Sequence, residues 1–160
     1  MSGSATFVRL TDRVVGWLTP LAHVIDLVIR LYVADAFFKS GLTKIRSWDA
    51  TLYLFANEYH VPLLPTGVAA LLGTAGELLL PPLLAIGLAT RFAALGLTVV
   101  NIVAVIAFWH VLSGNEAALA SHTYWAMLLL VTLFHGPGKL SVDYWLWPRI
   151  RARAGASRAT

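Results

Sequence analysis

The sequence contains no cysteine among its 160 residues. This absence excludes disulfide bonds, thiolate metal sites, CxxC redox centres and cysteine-ligated iron–sulfur clusters. The chain also lacks a glycine-rich nucleotide-binding loop and a clear pair of haem ligands. Any redox role must therefore use another cofactor or a partner protein that carries the electron-transfer centre.

Charge is also scarce, since charged residues make up 12% of the chain and hydrophobic residues 58%. A soluble domain of this length needs far fewer apolar residues to fill one core, so we expect the surplus to face lipid. Lysine and arginine outnumber aspartate and glutamate by twelve to eight, but they lie at the edges of apolar runs. In that position they indicate membrane topology rather than nucleic-acid binding. The composition predicts an integral membrane protein that has the lipid bilayer as its partner and binds no nucleic acid.

Four apolar runs have the length of about 20 residues that a helix needs to cross about 30 Å of hydrocarbon. They cover residues 18–38, 62–88, 92–112 and 117–135. The turn at 89–91 is so short that the second and third helices must be antiparallel neighbours. The sequence therefore predicts an all-α membrane protein with a four-helix bundle.

Two shorter helices are expected outside the bundle core. The stretch 39–60 is polar but rich in aromatic residues, which is typical of an interfacial helix. After the fourth run, Gly136-Pro137-Gly138 predicts a helix end, and Ser141 with Asp143 suits the start of a short C-terminal helix.

The distribution of cationic residues predicts the orientation. One set of segments carries Arg9, Arg13, Arg91, Lys139, Arg149, Arg151, Arg153 and Arg158, whereas the other carries only Lys39, Lys44 and Arg46. Both termini are therefore expected on the cytoplasmic side. The predicted organisation is a cytoplasmic segment at 1–17, the transmembrane domain with its interfacial helices at 18–150 and a basic flexible tail at 151–160.

Ionisable residues within apolar runs are costly, and each is a candidate for function. Asp26 and Arg30 are four residues apart near the middle of the first run, which allows an ion pair. Glu77 and Asn101 lie near the middle of the second and third runs. With the predicted helix ends, these four polar groups are expected at one depth.

A double proline follows Glu77. Pro81 and Pro82 remove the helical hydrogen bonds to the carbonyls of Glu77 and Leu78, and Arg30 has enough donors to satisfy them. Two interpretations stay open: the cluster is a structural ion network that holds three helices together, or it is a ligand or proton site.

Three histidines, His60, His110 and His122, are expected at the outer ends of the helices. They come from separate segments without the close spacing of a metal site, so no metal is predicted. A hydrogen-bonded or quinone-facing role suits them better. Trp109 is expected in the aromatic belt or in the wall of a flat cofactor pocket.

Four segments resemble the DoxX family of small bacterial and archaeal membrane proteins: IRLYVADAFFKSGLTKI, GELLLPPLLAIGLATRFAAL, VAVIAFWH and GPGKLSVD. The resemblance implies a four-helix membrane fold and an association with redox reactions, including an archaeal thiosulfate:quinone oxidoreductase built from DoxD and DoxA relatives. The polar positions that match are Arg30, Lys44, Glu77, Arg91, His110, Lys139, Ser141 and Asp143.

The resulting hypothesis is a redox-associated subunit of the bacterial inner membrane that binds quinone or another lipid-soluble molecule. The candidate catalytic residues are Glu77, Arg30 and His110, and the candidate binding residues are Asp26, Asn101, Lys44 and Trp109. A protein partner or a homo-oligomer is expected. The alternative is a non-enzymatic membrane partner or scaffold, or a small proton-coupled transporter.

Overall fold

The computed structural model describes the backbone of residues 2–156 and the side chains of residues 13, 15–18 and 20–152. All regular structure in this part of the chain is helical, which confirms the prediction of an all-α fold. The helices are α1 (Ser2–Arg46), α2 (Trp48–Asn57), α3 (Thr66–Ile86), α4 (Thr90–Ala107), α5 (Trp109–Leu112), α6 (Glu116–His135) and α7 (Val142–Ala156). The predicted basic tail begins at residue 151. Residues 151–156 belong to α7, and residues 157–160 lie outside the described part, so the flexibility of the tail stays a prediction.

Three helices are long and apolar enough to cross a membrane: α3, α4 and α6. They correspond to the second, third and fourth predicted runs. Large apolar side chains such as Leu79, Phe92 and Phe134 are exposed on these helices, as expected where a protein surface meets lipid rather than water. The chain is thus a multi-pass membrane protein.

The bounds predicted for the first helix are wrong, because α1 continues without a break to Arg46. The apolar run ends at residue 38, but residues 39–46 continue the same helix, and Lys44 turns toward α3. Gly41 permits this packing: a Cβ atom there would lie 2.9 Å from the Leu78 side chain. The helix expected within residues 39–60 is confirmed as α2.

The third predicted run is divided at Phe108 into α4 and the short α5. Gly87 begins the short turn between α3 and α4 with a left-handed backbone, and its missing side chain leaves room for Arg30, whose Nη1 would lie 2.3 Å from a Cβ atom. The turn places α3 and α4 side by side, as predicted.

Asp143 lies in the first turn of α7, as predicted, but its side chain binds the start of α4. Its carboxylate accepts hydrogen bonds from the backbone nitrogens of Ala89 (2.9 Å) and Thr90 (2.8 Å) and from the Thr90 hydroxyl (2.8 Å). It therefore caps α4 and not its own helix, α7. Ser141 provides the cap of α7, because its hydroxyl accepts from the Tyr144 backbone nitrogen at 3.2 Å.

Four helices share one apolar core. Val33 and Phe37 of α1 pack with Leu84 of α3, Leu97 of α4 and Leu129 of α6. Among the helix pairs in contact, α1 packs on α3 and α6, and α4 packs on the same two. Consequently α1 and α4 lie at opposite corners of the bundle.

We predict that Asp143→Ala lowers the free energy of unfolding by about 1–3 kcal/mol, because it leaves buried backbone donors of α4 without an acceptor. Thermal unfolding in detergent, followed by circular dichroism, measures the effect. The matched control is Glu116→Ala, which removes an exposed acid from the first turn of α6 and is expected to change stability by less than about 0.5 kcal/mol. Equal effects of the two substitutions would contradict the assigned cap.

Candidate functional site

The central feature of the site is an ion pair between α1 and α3. The Lys44 ammonium contacts a carboxylate oxygen of Glu77, and the two side chains are 17% and 8% exposed. Lys44 Nζ also donates to the Ser40 hydroxyl at 3.1 Å. A buried charge needs such partners because a lone charge in this environment is very costly.

A cavity of about 410 Å³ lies beside this pair. Aliphatic and aromatic side chains of α1, α3, α4 and α6 form most of its wall. Polar side chains that line it are Ser40, Lys44, Tyr59, Glu77, His122 and Trp125. A mainly apolar cavity of this size with a few polar groups has the properties of a small-molecule site. We refer to it as the apolar cavity.

Asn101 does not line the apolar cavity, but it orients His122, which does. The Asn101 amide nitrogen donates to the His122 carbonyl at 3.0 Å, so its side-chain oxygen faces His122 Nδ1 at 2.8 Å. Because this oxygen can only accept, Nδ1 carries the hydrogen. In the neutral ring, Nε2 is then free to accept a hydrogen bond.

Trp125 contributes an unused donor. Within the described part of the chain, its indole Nε1 is buried and has no hydrogen-bond partner. The side chain lines the apolar cavity and is held by ring contacts with Phe37 and His122, at 5.6 and 5.0 Å between centroids. Since buried donors are nearly always satisfied, the group is suited to an acceptor on a ligand.

Tyr59, from the segment between α2 and α3, closes the cavity near the ion pair. Its ring packs against Phe55 and Phe108, each at 4.8 Å between centroids. Burial raises the pKa of the Tyr59 hydroxyl above its ordinary value, and the negative charge of Glu77 raises it further. The hydroxyl is therefore neutral at physiological pH and can both donate and accept.

A second cavity, of about 350 Å³, lies between α1 and α2. Hydroxyl groups of Thr43, Ser47 and Thr51 contribute to its wall, so it is more polar than the first. The two cavities share Ser40, Lys44, Phe55 and Tyr59. Lys44 therefore lies between an apolar and a polar space.

Arg30 does not join this site, and the expectation that it binds the carbonyls of Glu77 and Leu78 is wrong. Its guanidinium donates to the carbonyls of Leu84 (3.3 Å) and Ala85 (3.2 Å) and to that of Leu140. Leu84 and Ala85 lie in the last turn of α3, where carbonyls lack helical partners. Arg30 thus ties the end of α3 to the segment before α7.

The prediction that Asp26 lies at the same depth as Glu77 and Asn101 is also wrong. Its carboxylate faces His135 at the end of α6 (3.1 Å) and His23 (3.8 Å), and no ion pair with Arg30 occurs among the described side chains. By helix rise, Arg30 and Lys44 are about 21 Å apart along α1. Asp26 and Arg30 therefore belong to one end of the bundle, away from the apolar cavity.

The outer histidines divide into two groups. His110 lies at the surface, 3.5 Å from Glu58 and in ring contact with His60, whereas His122 binds Asn101 inside the bundle. Among the described residues, no group of histidine and acidic side chains is arranged to hold a metal ion. Neither His110 nor Trp109 lines the apolar cavity, and Trp109 is exposed.

Comparison with known protein families identifies a family of membrane proteins. The sequence model of the DoxX family matches residues 25–110, more than half of the chain. The chain belongs to the DoxX family. A relative from Haemophilus influenzae, described only as an uncharacterized protein, is 32% identical over 127 residues, which cover 73% of this chain and 80% of the relative. No solved structure matches the chain.

The DoxX match includes Lys44, Tyr59 and Glu77 but ends before His122 and Trp125. Of the candidate residues, Glu77 and Lys44 line the apolar cavity and Asn101 supports it. Sequence reasoning missed Ser40 and Tyr59 as parts of the site, whereas Trp125, like Trp109, was expected in the aromatic belt or in the wall of a flat cofactor pocket, and Trp125 does line the apolar cavity. A usable signal was present in α1, because Phe37, Ser40 and Lys44 share one helical face once the helix is extended past residue 38.

We predict strong coupling between Lys44 and Glu77 in a double-mutant cycle. Each of Lys44→Met and Glu77→Gln leaves the other partner buried and unpaired, which costs about 3–5 kcal/mol, and the double variant should lose much less than the sum. The free energy of unfolding in mixed micelles measures the coupling.

The half-exposed pair Glu58 and His110 is the matched control for this cycle. Its coupling is expected to be below about 1 kcal/mol. Additive effects of Lys44→Met and Glu77→Gln would show that the two groups do not interact in the folded protein.

Proposed function

We propose that this DoxX-family protein binds a flat, lipid-soluble molecule of the quinone type in the apolar cavity. The observation that carries the proposal is the combination of apolar walls with a buried ion pair and unused hydrogen-bonding groups in one cavity of about 410 Å³. An ion pair that only stabilised helix packing would need no such space beside it. For this reason ligand binding is favoured over a purely structural network.

The polar groups suit a ring that carries oxygen atoms. The Trp125 indole and the Tyr59 hydroxyl can donate to a carbonyl oxygen, and His122 can accept from a hydroxyl group. Reduction of a quinone to a quinol takes up two electrons and two protons. Glu77, with Lys44 beside it, is placed to exchange the protons.

Electrons must come from elsewhere, because the chain has no cysteine and no nucleotide-binding loop. We propose that a partner protein carries the electron-transfer centre and that this chain is the membrane subunit. Arg30 and Asp26 then stabilise the opposite end of the bundle, and the surface position of His110 favours a role at the rim rather than at the reacting atoms.

Access from the bilayer is supported by the wall between α3 and α4. Leu72 and Val99 both line the apolar cavity, yet they are 56% and 53% exposed. Their helices are candidate membrane spans. A lipid-soluble ligand could therefore enter between these two helices without passing through water.

We further propose that α1 is a fourth membrane span and that both termini are cytoplasmic. The segment of α1 from Arg30 to Lys44 runs antiparallel along α3, with Arg30 at the end of α3 and Lys44 beside Glu77. A helix paired in this way with a spanning helix occupies the same layer. Its ionisable residues explain why apolar content alone does not identify it as a span.

The direct test is to purify the protein in native lipid and analyse the extracted lipid-soluble molecules by mass spectrometry. The proposal predicts quinone in amounts comparable to the protein. An extract without quinone, together with no binding of an added short-chain ubiquinone in lipid nanodiscs, would rule it out.

We predict that Val103→Phe weakens binding of the short-chain ubiquinone by about tenfold or more, because the larger ring fills the apolar cavity. The matched control is Ile106→Phe on the same helix, which is exposed outside the cavity wall and should change affinity by less than about twofold. Titration calorimetry in nanodiscs measures both. Equal affinities of the two variants would place the ligand elsewhere.

A further inference from the structure

An ion pair lies on the outer surface of α1. Lys39 Nζ is 2.7 Å from an Asp35 carboxylate oxygen, and the two side chains are 72% and 60% exposed. This exposure contrasts with the buried pair of Lys44 and Glu77 only five residues further along the helix. The exposed pair faces away from the core.

The position of this pair along the bundle is fixed by contacts on both sides of it. Arg30 reaches the last turn of α3, while Gly41 packs against Leu78, eight residues before the end of α3. Lys39 is thus within about 3 Å of the level of Leu78, by a helix rise of 1.5 Å per residue. If α1 spans the membrane, as proposed above, Asp35 and Lys39 lie within the hydrocarbon layer.

Charged side chains at this depth almost always face protein or water, not lipid. The surrounding stripe of α1 is apolar and equally exposed, with Val28 and Tyr32 on the same face. The ion pair leaves donors of the ammonium and the second carboxylate oxygen unused. An additional protein surface is required to cover it.

We propose that a second copy of this chain covers the stripe formed by Val28, Tyr32, Asp35 and Lys39, so that the protein is a dimer across α1. The stripe carries both charge signs four residues apart. In a parallel pair of α1 helices, related by a two-fold axis along the membrane normal, the long Lys39 side chain of one copy reaches Asp35 of the other one turn away, and the reverse. Such self-complementarity is what a symmetric interface needs. The proposal rests on the fourth span and is independent of ligand binding.

The absence of cysteine permits a clean crosslinking test in native membranes. Tyr32→Cys is expected to form an oxidised dimer. The matched control is Leu95→Cys on α4, which is similarly exposed but lies at the opposite corner of the bundle. Crosslinking of Tyr32→Cys no greater than that of Leu95→Cys overturns the proposal, as does crosslinking to a different protein.

Charge reversal tests the pairing itself. In the Tyr32→Cys background, Asp35→Lys gives two positive charges and Lys39→Asp two negative charges, so each variant alone should crosslink at least about tenfold less. Co-expression of the two, with different tags, should restore crosslinking between them, which also shows that both fold. Unchanged crosslinking of the single variants, or no recovery on co-expression, contradicts the proposed pairing.

The experiments test the dimer across α1 and quinone binding in the apolar cavity independently of each other. Loss of the dimer with unchanged binding of the short-chain ubiquinone would overturn only the interface. A crosslinked dimer that binds no quinone would overturn only the ligand.

Discussion

The buried ion pair of Lys44 and Glu77 is the interaction on which the site depends. It joins α1 to α3 at the depth where the apolar cavity lies, and neither charge could remain there without the other. Gly41 allows α1 to approach α3 closely enough for this contact. The cavity, the neighbouring hydroxyl groups and the aromatic wall are arranged around the pair.

At the opposite end of the bundle, buried charged side chains bind backbone groups at helix ends instead of each other. Helix ends expose backbone groups that need partners, and here charged side chains provide them: Arg30 binds carbonyls at the end of α3, and Asp143 binds nitrogens at the start of α4. These residues close the bundle with backbone hydrogen bonds. The division explains why one DoxX-family chain can contain several buried charges with only some of them near a cavity.

Much of the fold was predictable from the sequence, because length and hydropathy define α3, α4 and α6 and the glycine-rich segment ends α6. The extent of α1 was not, because the apolar run ends at residue 38 and the partner of Lys44 on α3 could not be known from the sequence. With the first helix ended at residue 38, the middle of that helix fell near Arg30, so Arg30 was expected beside Glu77 in the middle of α3. Depth within a bundle depends on helix register, which tertiary contacts determine and hydropathy does not.

The most direct test of this account is the register of α1 against α3 in the membrane. Lys44→Cys with Glu77→Cys removes both charges together, and a short bifunctional methanethiosulfonate should link the two positions, as detected by mass spectrometry of peptides. Arg30→Cys with Glu77→Cys, in a Lys44→Met background, should not be linked. Linkage of positions 30 and 77 without linkage of 44 and 77 would contradict the account.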